Sequence, residues 1–198
     1  MILKRIELTN FRNYEHLSAR FYKGINIIYG DNAQGKTNLL ESIYVLGITK
    51  SHRSFIDNNL IKNNEKKAII KGSINKGSLD TELSVTIENT KKVLNIDNTN
   101  IKKVSDYISN MNIIIFYPDD LELLKGSPHE RRKYFNLELS QLYSNYFVIL
   151  NDYNKLIKIR NEYLKKINRG QYVDKNYFDI LTNYIVEKSL FLIKMRYK

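Results

Sequence analysis

Apolar and polar residues alternate at the start of the chain. Ile2, Ile6 and Leu8 fall on one alternation with Lys4, and the intervening Leu3 is apolar too; this two-residue period predicts a first strand. Leu17, Ala19 and Phe21 alternate with Ser18 and Arg20 and predict a partner strand. After the break at Gly24, Ile25-Asn26-Ile27-Ile28-Tyr29 reads as a buried strand. The period then changes. Leu39, Leu40, Ile43 and Leu46 follow the i, i+3, i+4, i+7 spacing of an apolar helix face, which predicts a helix over 36–46. Residues 68–74, 82–88 and 91–96 read as three short strands, with Asn75-Lys76-Gly77 turning between the first two. Residues 101–110 suit one helix and residues 112–117 a buried strand.

From residue 119 the pattern is almost wholly helical. Ser127-Pro128-His129-Glu130 places serine at the N-cap, proline at the first helical position and glutamate at the third, the arrangement of a capping box. That helix is expected to reach about Leu139. A second should run from about Tyr143 to Arg169 and stop at Gly170. A third begins near Tyr177 and meets no cap, glycine or proline before Lys198, as a helix cut in mid-run would. Two regions are expected, 1–118 mixed and 119–198 helical.

Composition narrows the chemistry. A chain of 198 residues buries a core without disulfides. Cysteine is absent, which excludes disulfides, thiolate metal sites and thiol nucleophiles. His16, His52 and His129 are scattered singly, an unpromising pattern for a histidine metal site. The apolar run Ile113–Tyr117 is far too short to span a bilayer. Lys4 and Arg5 interrupt what would be a signal's apolar segment, so a soluble, cytoplasmic protein with no membrane partner is expected. Net charge is +11, spread evenly over the two halves, and a basic field favours polyanions. The bias toward Lys, Asn and Ile is also what an AT-rich genome produces, so charge makes nucleic acid plausible and no more.

One motif carries specific chemistry. Gly30-Asp31-Asn32-Ala33-Gln34-Gly35-Lys36-Thr37 matches G-x-x-x-x-G-K-[ST] without mismatch. By chance, a chain of this composition would show about 0.004 such matches. A strand-like run precedes it and a helical pattern follows, as the motif requires. Gly30 and Gly35 would let backbone N–H groups turn toward phosphate oxygens. The helix starting at Lys36 would aim its positive end at the same oxygens. Lys36 would bridge the β- and γ-phosphates of ATP and the Thr37 hydroxyl would ligate Mg²⁺.

Hydrolysis would require more: a strand ending in a magnesium-holding aspartate and a carboxylate to activate water. Ile113–Asp120 is one candidate, but Pro118 sits where that motif runs directly from strand to carboxylate. Asp119-Asp120 could equally open a short helix at Leu121. A small, complete P-loop kinase or phosphotransferase using Asp119 is the alternative this leaves open. The Leu-Ser-x-Gly-Gln signature of ABC ATPases is absent; Leu139-Ser140-Gln141-Leu142 lacks its glycine.

A wider set of strings carries a resemblance. Asn10-Phe11-Arg12-Asn13-Tyr14, Gly35–Tyr44, Ser51-His52-Arg53 and Phe116–Leu121 come first. Lys125–Pro128, Arg131-Arg132, Leu137–Leu142 and Tyr153-Asn154-Lys155 follow in order. Together they closely resemble the RecF family of bacterial DNA replication and repair proteins, over essentially the whole chain. The resemblance implies an α/β fold: the N-terminal part of a P-loop ABC/SMC-type ATPase head with an inserted all-helical lobe, lacking the C-terminal part of the sheet. It implies ATP and Mg²⁺ as cofactors, single-stranded or gapped DNA as ligand, an ATP-dependent homodimer, RecO- and RecR-type mediators as partners, and roles in recombinational repair and the SOS response. It implies that Arg12 lies near the nucleotide. It also implies that the segment at Pro118 leads into the helical lobe. The magnesium aspartate, signature motif and catalytic carboxylate would then lie beyond Lys198, and this chain, an N-terminal fragment, would turn over little ATP.

For DNA the candidates are Arg131, Arg132 and Lys133, and a helix bearing Lys155, Lys158, Lys165, Lys166 and Arg169. Tyr153, Leu156, Leu164 and Ile167 on its other side are expected to be core. A solvated lysine face explains the stripe equally well.

Overall fold

The computed structural model describes residues 1–89, 91–116 and 127–197. They fall into two units, Met1–Ile115 and Phe116–Lys198.

The first unit is built on an antiparallel sheet. Its strands are β1 (Ile2–Phe11), β2 (Tyr14–Arg20), β3 (Lys67–Lys76), β4 (Leu79–Glu88), β5 (Lys91–Ile96) and β6 (Thr99–Asn100), in the order β2-β1-β3-β4-β5-β6. Register follows the apolar alternation. Leu8 opposes Leu17 and Ile70, Ile70 opposes Val85, and Val85 opposes Leu94. One face therefore collects Ile6, Leu8, Ile70, Ile74, Leu83, Val85, Ile87 and Leu94, all buried. Arg5, Lys71 and Glu82 on the other face are exposed. A register shift between Leu3 and Arg5 explains the broken alternation at the start. The extra residue, Lys4, sits at the bulge, and Leu3 packs on the core.

Helix α1 (Lys36–Ile48) covers the apolar face with Leu39, Val45 and Leu46. Gly72 on β3 makes this close approach possible, because a Cβ there would collide with the Leu46 side chain. Each aliphatic side chain buried in this layer contributes about 1.5–3 kcal/mol. The other α-helix among the described residues of the unit is α2 (Val104–Ile108).

Several expectations need correction. Residues 25–29 form no strand: Ile25, Ile27 and Tyr29 are 92%, 80% and 89% exposed, and no described strand pairs with them. Residues 112–116 likewise carry no strand, with Ile114 and Phe116 exposed. A buried-type strand needs hydrogen-bonded neighbours, and neither segment pairs with an edge of the described sheet. The helix expected over 101–110 is only five residues long. The turn expected at 75–77 falls at Gly77-Ser78, because Lys76 still pairs with Leu79. On α1, Leu40 is exposed while Glu41 and Ser42 are buried, so the stripe read from spacing is offset from the buried face.

The second unit holds α3 (Pro128–Leu142), α4 (Ser144–Asn168) and α5 (Lys175–Arg196). Ser127 occupies the N-cap of α3 with Pro128 inside it, but the Ser127 side chain makes no cap hydrogen bond. Helix α5 instead starts at a working cap, where the Asp174 side chain accepts from Tyr177 N–H at 3.2 Å. Tyr146, Leu192 and Met195 form the buried cluster of the unit, with Leu139, Leu150, Tyr153 and Phe191 against it. A polar brace ties the three helices. The Tyr146 hydroxyl donates to Asn136 Oδ1 at 2.6 Å, and Arg196 Nη2 donates to the same oxygen at 2.8 Å. Leu164 and Ile167, expected in the core, are 38% and 44% exposed and lie outside the buried cluster. Helix α4 has 25 residues against 15 in α3, so its last turns lack that second neighbour.

Candidate functional site

Residues 30–35 connect the open stretch 25–29 to α1, and their backbone takes the turn that the glycines permit. Gly30 has φ 140°, Ala33 φ 66° and Gly35 φ 100°. Gly35 is the N-cap of α1 and is buried, while Asp31, Asn32, Ala33, Gln34 and Thr37 are exposed. No side chain caps this helix start, so its first N–H groups remain available to an anion. Lys36 curls back over the loop: its Nζ donates to the carbonyls of Gly30 at 2.8 Å and Asp31 at 2.6 Å.

The β1–β2 turn packs onto this corner. A Cβ on Gly35 would lie 2.7 Å from the Tyr14 hydroxyl and 2.8 Å from Asn13 Nδ2, so only glycine fits. Burial raises the Tyr14 pKa, which keeps that hydroxyl protonated. Asn38 Nδ2 donates to Asn13 Oδ1 at 2.8 Å, linking α1 to the turn.

Beneath lies a carboxylate that motif reading does not single out. Glu41 is fully buried. It accepts from Arg12 Nε at 2.9 Å and Arg12 Nη2 at 2.7 Å, from Ser51 Oγ at 2.5 Å and from Arg53 Nη1 at 3.4 Å. Burial alone would raise its pKa. The hydrogen bonds from Arg12 and Ser51, with the charges of Arg12 and Arg53, outweigh burial and hold the carboxyl below its ordinary value. Arg12 also donates from Nη1 to the Asn59 carbonyl at 2.7 Å. Its guanidinium is thus held on Glu41 and the 3-10 turn Asp57–Leu60. The available signal was a lone glutamate inside an apolar helix pattern, four residues after Thr37.

Other candidates are distributed differently. Arg131, Arg132 and Lys133 lie together on the first turns of α3, and Lys155 and Lys158 on α4; all five are exposed. Further along α4, Lys165 pairs with Glu162 at 2.8 Å. Toward the tip of the α4–α5 hairpin, Tyr163 stands 5.2 Å from Tyr177 and 6.5 Å from Phe178, centroid to centroid, with Arg160 over the Phe178 ring at 5.2 Å. Asp119 and Asp120 lie outside the described residues. Among the described residues no group of three or more His, Asp or Glu converges on a metal position, and no helix is long and apolar enough to cross a membrane.

Residues 2–119 match the family model for the RecF/RecN/SMC N-terminal domain. The chain belongs to that family. It is 40% identical over 196 residues to the DNA replication and repair protein RecF of Streptococcus suis strain 05ZYH33, covering 99% of this chain and 53% of the relative. It is 41% identical over 186 residues to RecF of Geobacillus thermodenitrificans, covering 94% and 50%. It therefore spans about half the length of the RecF relatives it matches. Among solved structures it is similar to that of the recombination mediator protein RecF-ATPrS in the RecFOR pathway, with TM-score 0.92, 32% identity, and coverage of 98% of this chain and 53% of that one. It also shares its fold with an SMC ATPase, at TM-score 0.55 and 20% identity over 68% of this chain. The α/β architecture is thus that of the RecF and SMC ATPase head.

Proposed function

We propose that this chain binds the triphosphate of ATP, with Mg²⁺, at residues 30–37 and serves DNA replication and recombinational repair as a RecF-type protein. The observation that carries this reading is the loop itself. All four fixed positions of the motif stand at a turn whose glycines take positive φ, and an uncapped helix start follows directly. The donor set fits a nucleotide phosphate: exposed loop residues, a lysine ammonium within the loop, and the Thr37 hydroxyl. Bound Mg²⁺ would take Thr37 as its one protein oxygen in this loop and complete its shell with phosphate and water. The solved RecF–ATP relative, 33% identical over 98% of this chain, supports the assignment. Arg12, as the family resemblance implies, would lie close to the nucleotide.

In this reading the exposed cations Arg131, Arg132, Lys133, Lys155 and Lys158 meet phosphates of single-stranded or gapped DNA. RecO- and RecR-type mediators and a second copy of the chain are the partners, the SOS response the setting, and the cytoplasm the compartment. A phosphotransferase using Asp119 is not favoured, since the RecF relatives match over nearly the whole chain.

The test is a titration with a fluorescent ATP analogue in the presence of Mg²⁺. Lys36→Ala should weaken binding by about tenfold to a hundredfold, the worth of a hydrogen bond to a charged group. Unchanged affinity removes Lys36 from the site. For DNA, log affinity should fall linearly with log salt, and Lys155→Ala should reduce that slope by about one. A flat response discards this surface.

A further inference from the structure

We infer that Glu41 is a positioning residue of the phosphate site: it holds the β1–β2 turn against Gly35 and so presets the loop. This rests on the nucleotide-binding reading above. The geometry is a closed circuit. Glu41 binds Arg12 through two hydrogen bonds, and Arg12 is continuous with Asn13. Asn13 Oδ1 accepts from Asn38, Asn38 Oδ1 accepts from Arg53 Nη1 at 3.0 Å, and the same Nη1 returns to Glu41 at 3.4 Å. The circuit encloses the first turns of α1 and touches the phosphate loop at one point, where Asn13 and Tyr14 abut Gly35.

Three features argue that the circuit places groups rather than merely stabilising the unit. First, a buried ion pair is a poor source of stability, because apolar residues of similar volume often do as well or better. A carboxylate in the middle of a core-facing helix therefore needs another reason. Second, Arg12 sits at φ 54°, a left-handed backbone that costs a non-glycine residue energy. It is fixed on two further sides, by its own N–H to the Leu60 carbonyl at 2.9 Å and by Nη1 to Asn59. Third, the circuit holds two guanidinium charges against one carboxylate. Fixing it also fixes a net positive charge beside a loop built for anions. Removing the Glu41 charge frees the turn, and the loop must then be ordered at the expense of binding.

The experiment uses the whole chain and two variants, Glu41→Gln and Arg12→Lys, with the Mg²⁺-ATP analogue titration and amide hydrogen exchange of residues 30–37. Glu41→Gln keeps the shape and loses the charge. It should weaken nucleotide binding by roughly tenfold, as loss of supporting partners does at metal sites, and speed exchange in the loop while the sheet strands keep their protection. Arg12→Lys keeps the charge and loses the two-pronged geometry, so it should move both readouts the same way. The double variant should bind no worse than the weaker single variant, since both break one circuit. Wild-type affinity and loop exchange in both single variants overturn the inference, as does additive loss in the double. Should Glu41→Gln fail to fold, loop exchange in Arg12→Lys decides, since its affinity would also report a direct contact of Arg12 with nucleotide: faster exchange supports the inference and wild-type exchange overturns it. If the wild-type chain binds no nucleotide, the functional reading fails. Loop exchange then still judges Glu41: faster exchange supports the clamp, and unchanged exchange refutes it.

Discussion

Residues 68–74 run Ala-Ile-Ile-Lys-Gly-Ser-Ile, and residues 25–29 run Ile-Asn-Ile-Ile-Tyr. The first stretch lies in β3, paired on both edges, with Ala68, Ile70 and Ile74 fully buried. The second is no less apolar, yet it stands in the open. Its one local bond pattern is a substitute for a ladder: Asn26 accepts from the Tyr22 N–H and donates to the Tyr22 carbonyl, each at 2.9 Å. An apolar run does not encode its own neighbours. It states a demand for cover, while the cover comes from whichever strands find matching edges. β3 finds β4 across a tight hairpin and β1 through a long-range antiparallel pairing. The stretch 25–29 finds none among the described residues.

The comparison breaks most visibly at β3. Ile70→Ala should cost about 2–5 kcal/mol, because it opens a cavity under α1 with neighbours on every side. Urea unfolding followed by circular dichroism measures it. A cost under 1 kcal/mol would mean that the sheet–helix layer is loosely packed. Gly72→Ala comes next, at about 1–3 kcal/mol, since the new methyl meets the buried Leu46 side chain, which must give way within a packed layer. If the variant is as stable as wild type, the close approach of α1 to β3 is wrong.

Acid sharpens the comparison at the loop's other neighbour. Glu41 ionises below its ordinary value of 4.5 in the folded chain, so folding favours its charged form. Its contribution is fully present above about pH 4.5 and is lost as pH falls through the lower folded value. Asp80, lowered by its hydrogen bonds to Lys4 and Asn75, acts in the same direction but only as pH falls below its ordinary value of 3.8. Comparing the melting temperature of wild type and Glu41→Gln between pH 6 and pH 3 isolates the Glu41 part. Wild type should lose more stability than the variant, and parallel curves would show that Glu41 titrates alike in both states. The effect is expected to be smaller than either core substitution, because protonation weakens the contacts of one side chain without opening a cavity or forcing a clash.

These cases also show what was legible in the sequence. The phosphate-loop motif could be picked out, since its eight residues are contiguous, and its positive-φ glycines and uncapped helix start stand where that motif needs them. β1 to β5, α1 and the three long helices were legible because a two- or 3.6-residue period survives wherever one face is buried. The family could be recognised from strings in order. The pairing fate of 25–29 and 112–116 was not, because a run of Ile says nothing about who lies beside it. Nor was the Glu41 circuit. Its partners stand 29, 10 and 12 residues away, and no local spacing links a carboxylate to Arg12, which it meets at the β1–β2 turn, or to Ser51 and Arg53, which it meets where the chain turns back after α1.

The smallest expected effect is the most discriminating. Ile27→Lys would be ruinous in a paired central strand, where burying an unpartnered ammonium costs several kcal/mol. Here Ile27 is already solvated, so the substitution should change the unfolding free energy by less than about 0.5 kcal/mol, as surface substitutions do. It should also raise solubility, because it breaks an exposed apolar patch. A loss above 1 kcal/mol would falsify the open state of this stretch and mean that something in the chain covers it. A null result in stability combined with weakened nucleotide binding would carry a different message. Residues 25–29 lead directly into Gly30, so it would show that the stretch acts on the loop through the backbone it delivers, independently of any core it helps to build.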